Sequence, residues 1–368
     1  MSESERLMAQ ALALANLGLT LTSPNPRVGC VIVNSHGEII GEGHTQRAGG
    51  AHAEIMALRD AAARGSSTQG ATAYVTLEPC SHRGRTGPCC DALAKAGIGR
   101  VFASIADPNP LVAGKGFQRL TNAGIEVEVG LGATESRELN IGFFSRMIRK
   151  TPWVRIKTAS SLDGKTALVN GVSQWITGEP ARTDGHAWRA RACAILTGIG
   201  TVLEDDPTLN VRQPESQRQP HLAIVDSRLE TPLNARIFNA DRSVFIYASV
   251  RNDSKKAALE ARGATVIYIP GASEKVNLNG MMLDLAQREI NELHVEAGET
   301  LNGALIQEGL VDELLMYLAP KLLGQGRCLA QFGPLQQLTQ AVNLEVHSYT
   351  PIGNDLRIVA RIQGRDQF

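Results

Sequence analysis

Residues 52–54 read His-Ala-Glu, and residues 78–90 read EPCSHRGRTGPCC, a stretch holding three of the chain's six cysteines. Thiolate and imidazole are favoured zinc ligands, and a zinc ion with catalytic duty keeps three protein ligands and one open position for water. His52 with Cys80 and Cys89 would supply one nitrogen and two sulfurs. Glu54, two residues past the histidine, would stay off the metal and carry protons. A closed structural zinc site using Cys80, Cys89, Cys90 and a histidine draws on much of the same set. Such a site has no use for a neighbouring glutamate or for this much Gly, Arg and Asn around it, which favours the catalytic reading. Cys30, Cys193 and Cys328 sit in or near apolar runs and read as small buried side chains.

These groups need elements to hold them. "VGCVIVN" and "GEIIGEG" read as strands around a turn at Ser35 to Gly37, a helix pattern runs from His52 to about Arg64, and "ATAYVTLE" is again a strand. A helix from about Pro88 to Gly97, the strand "RVFASIAD", a helix from about Gly116 and the strand "IEVEVG" follow. Helices starting near His52 and Pro88 would both aim their N-termini at the metal, the end of the dipole that favours thiolate. The basic, proline-containing "RMIRKTP" marks a boundary near Lys150. A second alternation runs from "WVRIKTA" through "ACAILTG", "HLAIVD", "SVFIYAS", "TVIYIP" and "ELHVEAG" to "VDELLMYLAP", with a helix around Pro180 to Arg191 and another ending near Gly309. The order predicts two α/β domains, residues 1–148 and 149–368.

Length and composition agree: 368 residues exceed most single cores, and 43% hydrophobic with 20% charged residues is ordinary for a globular chain. Lys plus Arg and Asp plus Glu are equal at 37 each, so nothing in the balance points to nucleic acid or an acidic membrane as partner. The N-terminal "MSESERLMAQALALA" lacks a basic start and a long apolar core, so neither a signal peptide nor a membrane span is expected. The expected compartment is the cytoplasm, where cysteines serve more as ligands, catalytic groups or buried thiols than as disulfides.

H-x-E followed by P-C and a further cysteine is the layout of zinc-dependent nucleobase deaminases, which act on an amidine-like ring carbon. The spacing departs from the common P-C-x-x-C, because eight residues, "SHRGRTGP", separate Cys80 from Cys89. A tRNA or polynucleotide deaminase would share the ligands but should lean basic and has no need of a second domain. A non-catalytic structural-zinc module would bind metal alone. In the second half, "CAILTGIGTVLEDDP" and "ELHVEAGETLNGALI" each run from an apolar strand through glycines into a helix, a form that presents backbone N–H groups to phosphate without being a full dinucleotide fingerprint.

"SPNPRVGCVIV", "GEGHTQRAGGAHAE", "TLEPCSHRGRTGPC" and "DPNPLVAGKGFQRL" resemble the deaminase half of the bifunctional riboflavin-biosynthesis deaminase/reductase family. "SLDGKTA", "SQWITG", "GIGTVLEDDPTLNVR" and "VEAGETLNGALI" resemble its reductase half, and the motifs occur in order from residue 23 to about 310. The resemblance implies an N-terminal cytidine-deaminase-like three-layer domain and a C-terminal dihydrofolate-reductase-like domain rather than a doubly wound one. It places one zinc on His52, Cys80 and Cys89, the proton carrier at Glu54, and Cys90 as a bystander. Gly87 stands where the family usually has a second proline, which implies slightly looser backbone ahead of the ligand.

The implied substrate is a pyrimidine bearing ribose 5-phosphate. His82 and Arg85, in the eight-residue insert, would reach its phosphate. Asn25 and His44 would read the pyrimidine edge, and Asp107 with Asn109 would close the pocket. The implied second cofactor is NADPH, with Gly298, Glu299, Thr300, Leu301, Asn302, Gly303 and Ala304 as pyrophosphate cradle and Ala159, Trp175, Thr201, Asp205 and Ser227 as further contacts. Ser173, Arg189, Leu209, Arg212 and Glu296 map onto the reductase substrate pocket, the two arginines suiting its phosphate. Deamination at ring carbon C2 would come first, and hydride delivery to C1′ of the ring-opened ribosyl imine second. A homo-oligomer is expected. No residue stands out as general acid of the second step.

Overall fold

The structure is a computed structural model describing residues 2–81, 87–110, 112–213 and 218–368. It divides into two compact units, Met1–Arg149 and Lys150–Phe368.

The first unit runs α1 (Glu3–Leu17), β1 (Gly29–Val33), β2 (Ile39–His44), α2 (Ala53–Ala63), β3 (Thr72–Val75), α3 (Cys89–Lys95), β4 (Arg100–Ala103), α4 (Lys115–Asn122), β5 (Glu126–Val129), α5 (Ala133–Leu139) and α6 (Ile141–Arg149). Its five strands lie in the order β2-β1-β3-β4-β5, antiparallel at β2/β1 and β1/β3 and parallel thereafter. Small residues decide which helix covers which face. A Cβ on Gly29 would lie 1.8 Å from the Ala11 carbonyl oxygen, so α1 lies tight on that side of β1, and Leu7, Met8 and Ala11 join Val31, Val33, Tyr74 and Phe102 in one core. Cβ atoms on Gly41 and Gly43 would lie 2.3 and 2.5 Å from the Ala57 and Ala53 carbonyl oxygens of α2. Gly43 pairs with Cys30 and Gly41 with Ile32. Paired residues share a face, so α2 covers the side opposite α1. The three layers expected of a cytidine-deaminase-like domain follow, and the close seat of α2 brings its N-terminal end to the sheet.

The second unit contains β6 (Trp153–Ser161), β7 (Lys165–Leu168), α7 (Glu179–Arg191), β8 (Ala194–Gly198), α8 (Ile199–Asp205), β9 (His221–Val225), β10 (Val244–Ala248), α9 (Asp253–Ala261), β11 (Ala264–Tyr268), α10 (Leu278–Gln287), β12 (Glu292–Val295), α11 (Glu299–Gln307), β13 (Glu313–Ala319), β14 (Gly326–Cys328), β15 (Leu344–Ile352) and β16 (Asp355–Ile362). A nine-stranded sheet has the order β11-β10-β9-β8-β12-β6-β13-β16-β15, parallel from β11 to β13 and antiparallel at β13/β16 and β16/β15. The antiparallel end sets it apart from a doubly wound sheet. β7 and β14 form a separate two-stranded ribbon.

Arg155, on the central strand β6, is 1% exposed and pairs with Glu292 at 3.1 Å and with Glu313. Arg191 reaches Glu292 at 2.7 Å and Arg361 reaches Glu313 at 3.3 Å, so neither carboxylate depends on Arg155 alone. A buried ion chain of this kind ties β6 to both neighbours, since one strand slip would leave a charge unpaired. Among the described residues no helix is long and apolar enough to cross a membrane.

Candidate active sites

In the first unit, His52 is the N-cap of α2 and Glu54 lies in its first turn, while Pro88 caps α3 and Cys89 opens it. Both helix starts converge on the loop after β3 that carries Cys80. The ligand atoms of His52, Cys80 and Cys89 lie within 4.8 Å of one another. His52 Nδ1 is 3.6 Å from Cys80 Sγ and 3.3 Å from Cys89 Sγ. Ligands at zinc bond lengths and tetrahedral angles are about 3.5–3.8 Å apart, so this donor set fits one zinc ion with a fourth position left over. Cys90 points elsewhere: its Sγ donates to the Pro79 and Gly116 carbonyls at 3.1 and 3.4 Å. Adjacent helix residues diverge by about 100°, so only one of the two thiols can face the imidazole. Cys89→Ser is therefore expected to lower bound zinc well below one per chain, whereas Cys90→Ser keeps it, as read by metal analysis of the purified variants.

Burial and charge tune the groups around this point. Glu54 is 3% exposed, and burial, then the Cys80 sulfur, pushes its carboxyl up to about 6. The Cys80 thiol is drawn down to about 4, first by a hydrogen bond from the Cys89 thiol and then by His52. Cys89, as donor in that pair, is pushed up. Burial lowers His44 at the end of β2. Burial also raises Asp107 to about 7, and its side chain accepts the Asn109 N–H at 2.7 Å. Asn25 donates its N–H to the Thr22 carbonyl at 2.9 Å. His82 and Arg85 lie outside the described residues.

Sequence reasoning passed over Glu78. Its buried carboxylate accepts N–H bonds from Asp107, Gly114 and Gly116 at 3.1, 2.9 and 2.8 Å, which ties the 107–116 loop to the Pro79–Cys80 turn. A Cβ on Gly116 would lie 2.1 Å from the Pro79 carbonyl oxygen, so the two loops touch backbone to backbone. The available signal was a carboxylate directly before Pro-Cys at the end of an apolar strand, where an unpartnered charge is costly.

In the second unit the expected cofactor residues 298–304, Thr201, Asp205 and Ser227 follow the carboxyl ends of the parallel strands β12, β8 and β9, where open α/β sheets bind ligands. Gly298 is the N-cap of α11 after β12, and Thr201 and Asp205 lie on α8 after β8. The cradle is made of backbone more than of side chains. Glu299 accepts the Cys328 N–H at 2.6 Å, Asn302 donates to the Ala297 and Leu329 carbonyls, and a Cβ on Gly303 would lie 1.8 Å from the Gln331 carbonyl oxygen. Leu301 and Ala304 pack against the core. What remains toward a ligand is the N-terminal backbone and Thr300, which fits a pyrophosphate. The Ser227 carbonyl accepts N–H bonds from Ser249 and Val250. Ala159 pairs with Tyr317 across β6 and β13 and packs against the buried cluster of Ala181, Leu315, Tyr317 and Val359. Trp175 is 63% exposed, with the Arg182 guanidinium 4.6 Å over its ring and Lys321 donating to its carbonyl. Cys328, expected to be buried, is partly exposed in β14 with Lys165 Nζ at 3.4 Å.

The expected substrate residues Arg189 and Glu296 form a two-pronged ion pair at 2.7 and 2.9 Å. Arg212 donates to Thr208 Oγ1 and Asn210 Oδ1, both at 3.0 Å. Leu209 between them is buried with φ 46°, and Arg242 holds the 208 and 209 carbonyls. Ser173 is partly exposed. Lys157, two residues after Arg155 on β6, reaches to 4.0 Å from Glu296, and its charge went unread in "WVRIKTA". Two cations alternating with apolar residues at the start of a buried central strand were the signal, because each needs a buried partner.

Fold and sites together define a class: an α/β enzyme in which a zinc-binding deaminase domain precedes a reductase domain. Residues 1–105 match the cytidine and deoxycytidylate deaminase zinc-binding region, and residues 152–358 match the RibD C-terminal domain. The riboflavin biosynthesis protein RibD of Escherichia coli is 45% identical over 96% of this chain and 98% of its own, and that of Aquifex aeolicus 40% identical over 95% and 96%. Among solved structures, Acinetobacter baumannii RibD superposes with a TM-score of 0.89 at 42% identity, covering 98% of each chain. A Thermotoga maritima diaminohydroxyphosphoribosylaminopyrimidine deaminase/5-amino-6-(5-phosphoribosylamino)uracil reductase superposes with a TM-score of 0.86 at 31% identity, covering 98% of this chain and 99% of its own. The chain belongs to the family of the riboflavin biosynthesis protein RibD, the bifunctional deaminases/reductases of that pathway.

Proposed function

We propose that residues 1–148 deaminate 2,5-diamino-6-(5-phospho-ribosylamino)pyrimidin-4(3H)-one, and that residues 149–368 reduce the ribosyl group of the product with NADPH to give 5-amino-6-(5-phospho-ribitylamino)uracil. The observation that carries the first half is the convergence of His52, Cys80 and Cys89 beside the buried carboxyl of Glu54. The name of the Thermotoga maritima relative supplies the substrate class. His52, Cys80 and Cys89 hold zinc, which when bound supplies a Lewis acid that activates water. Glu54 takes a proton at its carboxylate and returns it to the departing amine. Asn25 and His44 orient the pyrimidine, Asp107 and Asn109 close over it, and His82 and Arg85 meet the phosphate.

In the reductase half, Gly298 to Ala304, with Ala159, Trp175, Thr201, Asp205 and Ser227, hold NADPH, which when bound supplies the hydride. Ser173, Arg189, Leu209, Arg212 and Glu296 orient the substrate, Glu296 being kept ionised against its burial by Arg189 and Lys157. A cytoplasmic location and self-association complete the reading. β15, at the edge of the nine-stranded sheet, exposes Leu344, Val346 and Tyr349, a surface suited to a second copy and readable by sedimentation.

The test is one assay. Zinc-loaded protein given the pyrimidine phosphate and NADPH should release ammonia and then consume NADPH; absence of ammonia sinks the first half, and ammonia without NADPH loss sinks the second. Arg212→Ala should raise the KM of the reductase step roughly tenfold to a hundredfold, the effect of losing about 1.5–3 kcal/mol of charge-assisted hydrogen bonding, and leave deamination unchanged.

A further inference from the structure

We propose that His186 is a ligand for the substrate's phosphate, forming the grip together with Arg212 beside the Arg189–Glu296 pair. The proposal rests on the reductase substrate pocket argued above.

His186 lies one turn before Arg189 on α7, and its ring stands between two guanidinium groups: Nδ1 is 3.4 Å from Arg189 Nη1 and Nε2 is 3.3 Å from Arg212 Nη2. Guanidinium nitrogens only donate, and a neutral imidazole has one acceptor nitrogen. At most one of the two contacts is a hydrogen bond. In the other, N–H faces N–H, an arrangement that an acceptor bound against both donors would relieve.

The charges facing the ring point the same way. Arg189 faces it from its own helix, Arg212 from the segment after α8, Lys157 from β6 and Glu296 from the end of β12. Three cations against one carboxylate leave two positive charges, the complement of a phosphomonoester, which carries about −1.5 to −2 at neutral pH. Arg189 is already committed, with Nε and Nη2 on Glu296 and Nη1 on the Asn210 carbonyl at 2.7 Å. Arg212 uses Nη1 on Thr208 and Asn210, and its Nη2 is turned to His186. An oxygen placed there takes hydrogens from both side chains.

Burial, then Arg189 and Arg212, hold the free imidazole down to about 4, so it is neutral at working pH. A bound dianion favours the imidazolium, and binding then takes up a proton. Affinity for the phosphate dianion should therefore strengthen as pH falls through the bound-state pKa toward the free value.

The test uses the full chain and competitive inhibition of NADPH consumption by ribose 5-phosphate, with ribose as the arm lacking phosphate. His186→Ala should raise the inhibition constant and the substrate KM about tenfold with kcat within about twofold, and should not alter the effect of ribose. His186→Gln keeps one neutral donor and should recover most of the affinity at high pH. It should not show the extra tightening of wild type toward about pH 6; comparison of the two proteins cancels the ligand's own protonation. Constants within about twofold of wild type for both variants at every pH, while Arg212→Ala weakens binding, overturn the role of His186 and leave the pocket standing. Wild type that consumes no NADPH overturns the pocket reading and this proposal with it.

Discussion

Glu54→Gln is expected to keep one zinc per chain and to cut deamination by about 10²- to 10⁴-fold, the usual contribution of a positioned proton carrier. Glutamine fills the same buried space in the first turn of α2 and leaves His52, Cys80 and Cys89 in place, so metal content separates loss of proton transfer from loss of the site. The same variant has a stability signature in the metal-free protein. Burial raises the Glu54 carboxyl from 4.5 to about 6, so the fold favours its protonated form. That contribution is fully present below about pH 4.5 and is lost as pH rises through about 6; a shift of this size corresponds to about 2 kcal/mol. Metal-free Glu54→Gln should therefore unfold at higher denaturant than metal-free wild type at about pH 8, with the difference shrinking toward about pH 4.5. Full deaminase activity in a zinc-loaded Glu54→Gln protein would remove the residue from the chemistry.

Arg155→Met should destabilise the second unit by about 3–5 kcal/mol, the cost of stranding buried carboxylates, read as a lower urea midpoint for its unfolding transition. Arg191 and Arg361 remain beside Glu292 and Glu313, which places the loss toward the lower end. The double variant Arg155→Met with Glu313→Gln should recover part of it, because the stranded charge is removed with its partner. Acid supplies an independent reading. Burial pushes the Glu313 carboxyl up, but Arg155, then Arg361, outweigh burial and hold it below its ordinary 4.5. A depressed carboxyl stabilises the fold above the unfolded value and loses that contribution as pH falls through the folded one. Wild type should lose stability below about pH 4.5 more steeply than Arg155→Met does.

The metal set was legible because its parts are short-range: H-x-E sits at one helix start and P-C at one strand end, and ligand chemistry admits few combinations of such residues. Likewise "ELHVEAGETLNGALI" announced strand, glycine turn and helix, and all three formed. The C-terminal hairpin of β15 and β16 was not read, because β15 is exposed along most of its length and carries no clear buried alternation. Side-chain use at the cradle was hidden too. The partners of Glu299, Asn302 and Gly303 are at Cys328, Leu329 and Gln331, which local pattern does not connect to them.

Residue types and local spacing were enough to name zinc and a proton carrier, since those depend on what a side chain is and on neighbours within a turn or two, whereas the reductase pocket came from the resemblance of ordered motifs to a known family. Tertiary structure alone turned the Cys90 sulfur toward the Pro79 and Gly116 carbonyls, joined Arg189 to Glu296, and set His186 between two guanidinium groups. Those outcomes depend on which way a helix faces and on contacts across 26 to 107 residues, distances over which only packing decides who meets whom.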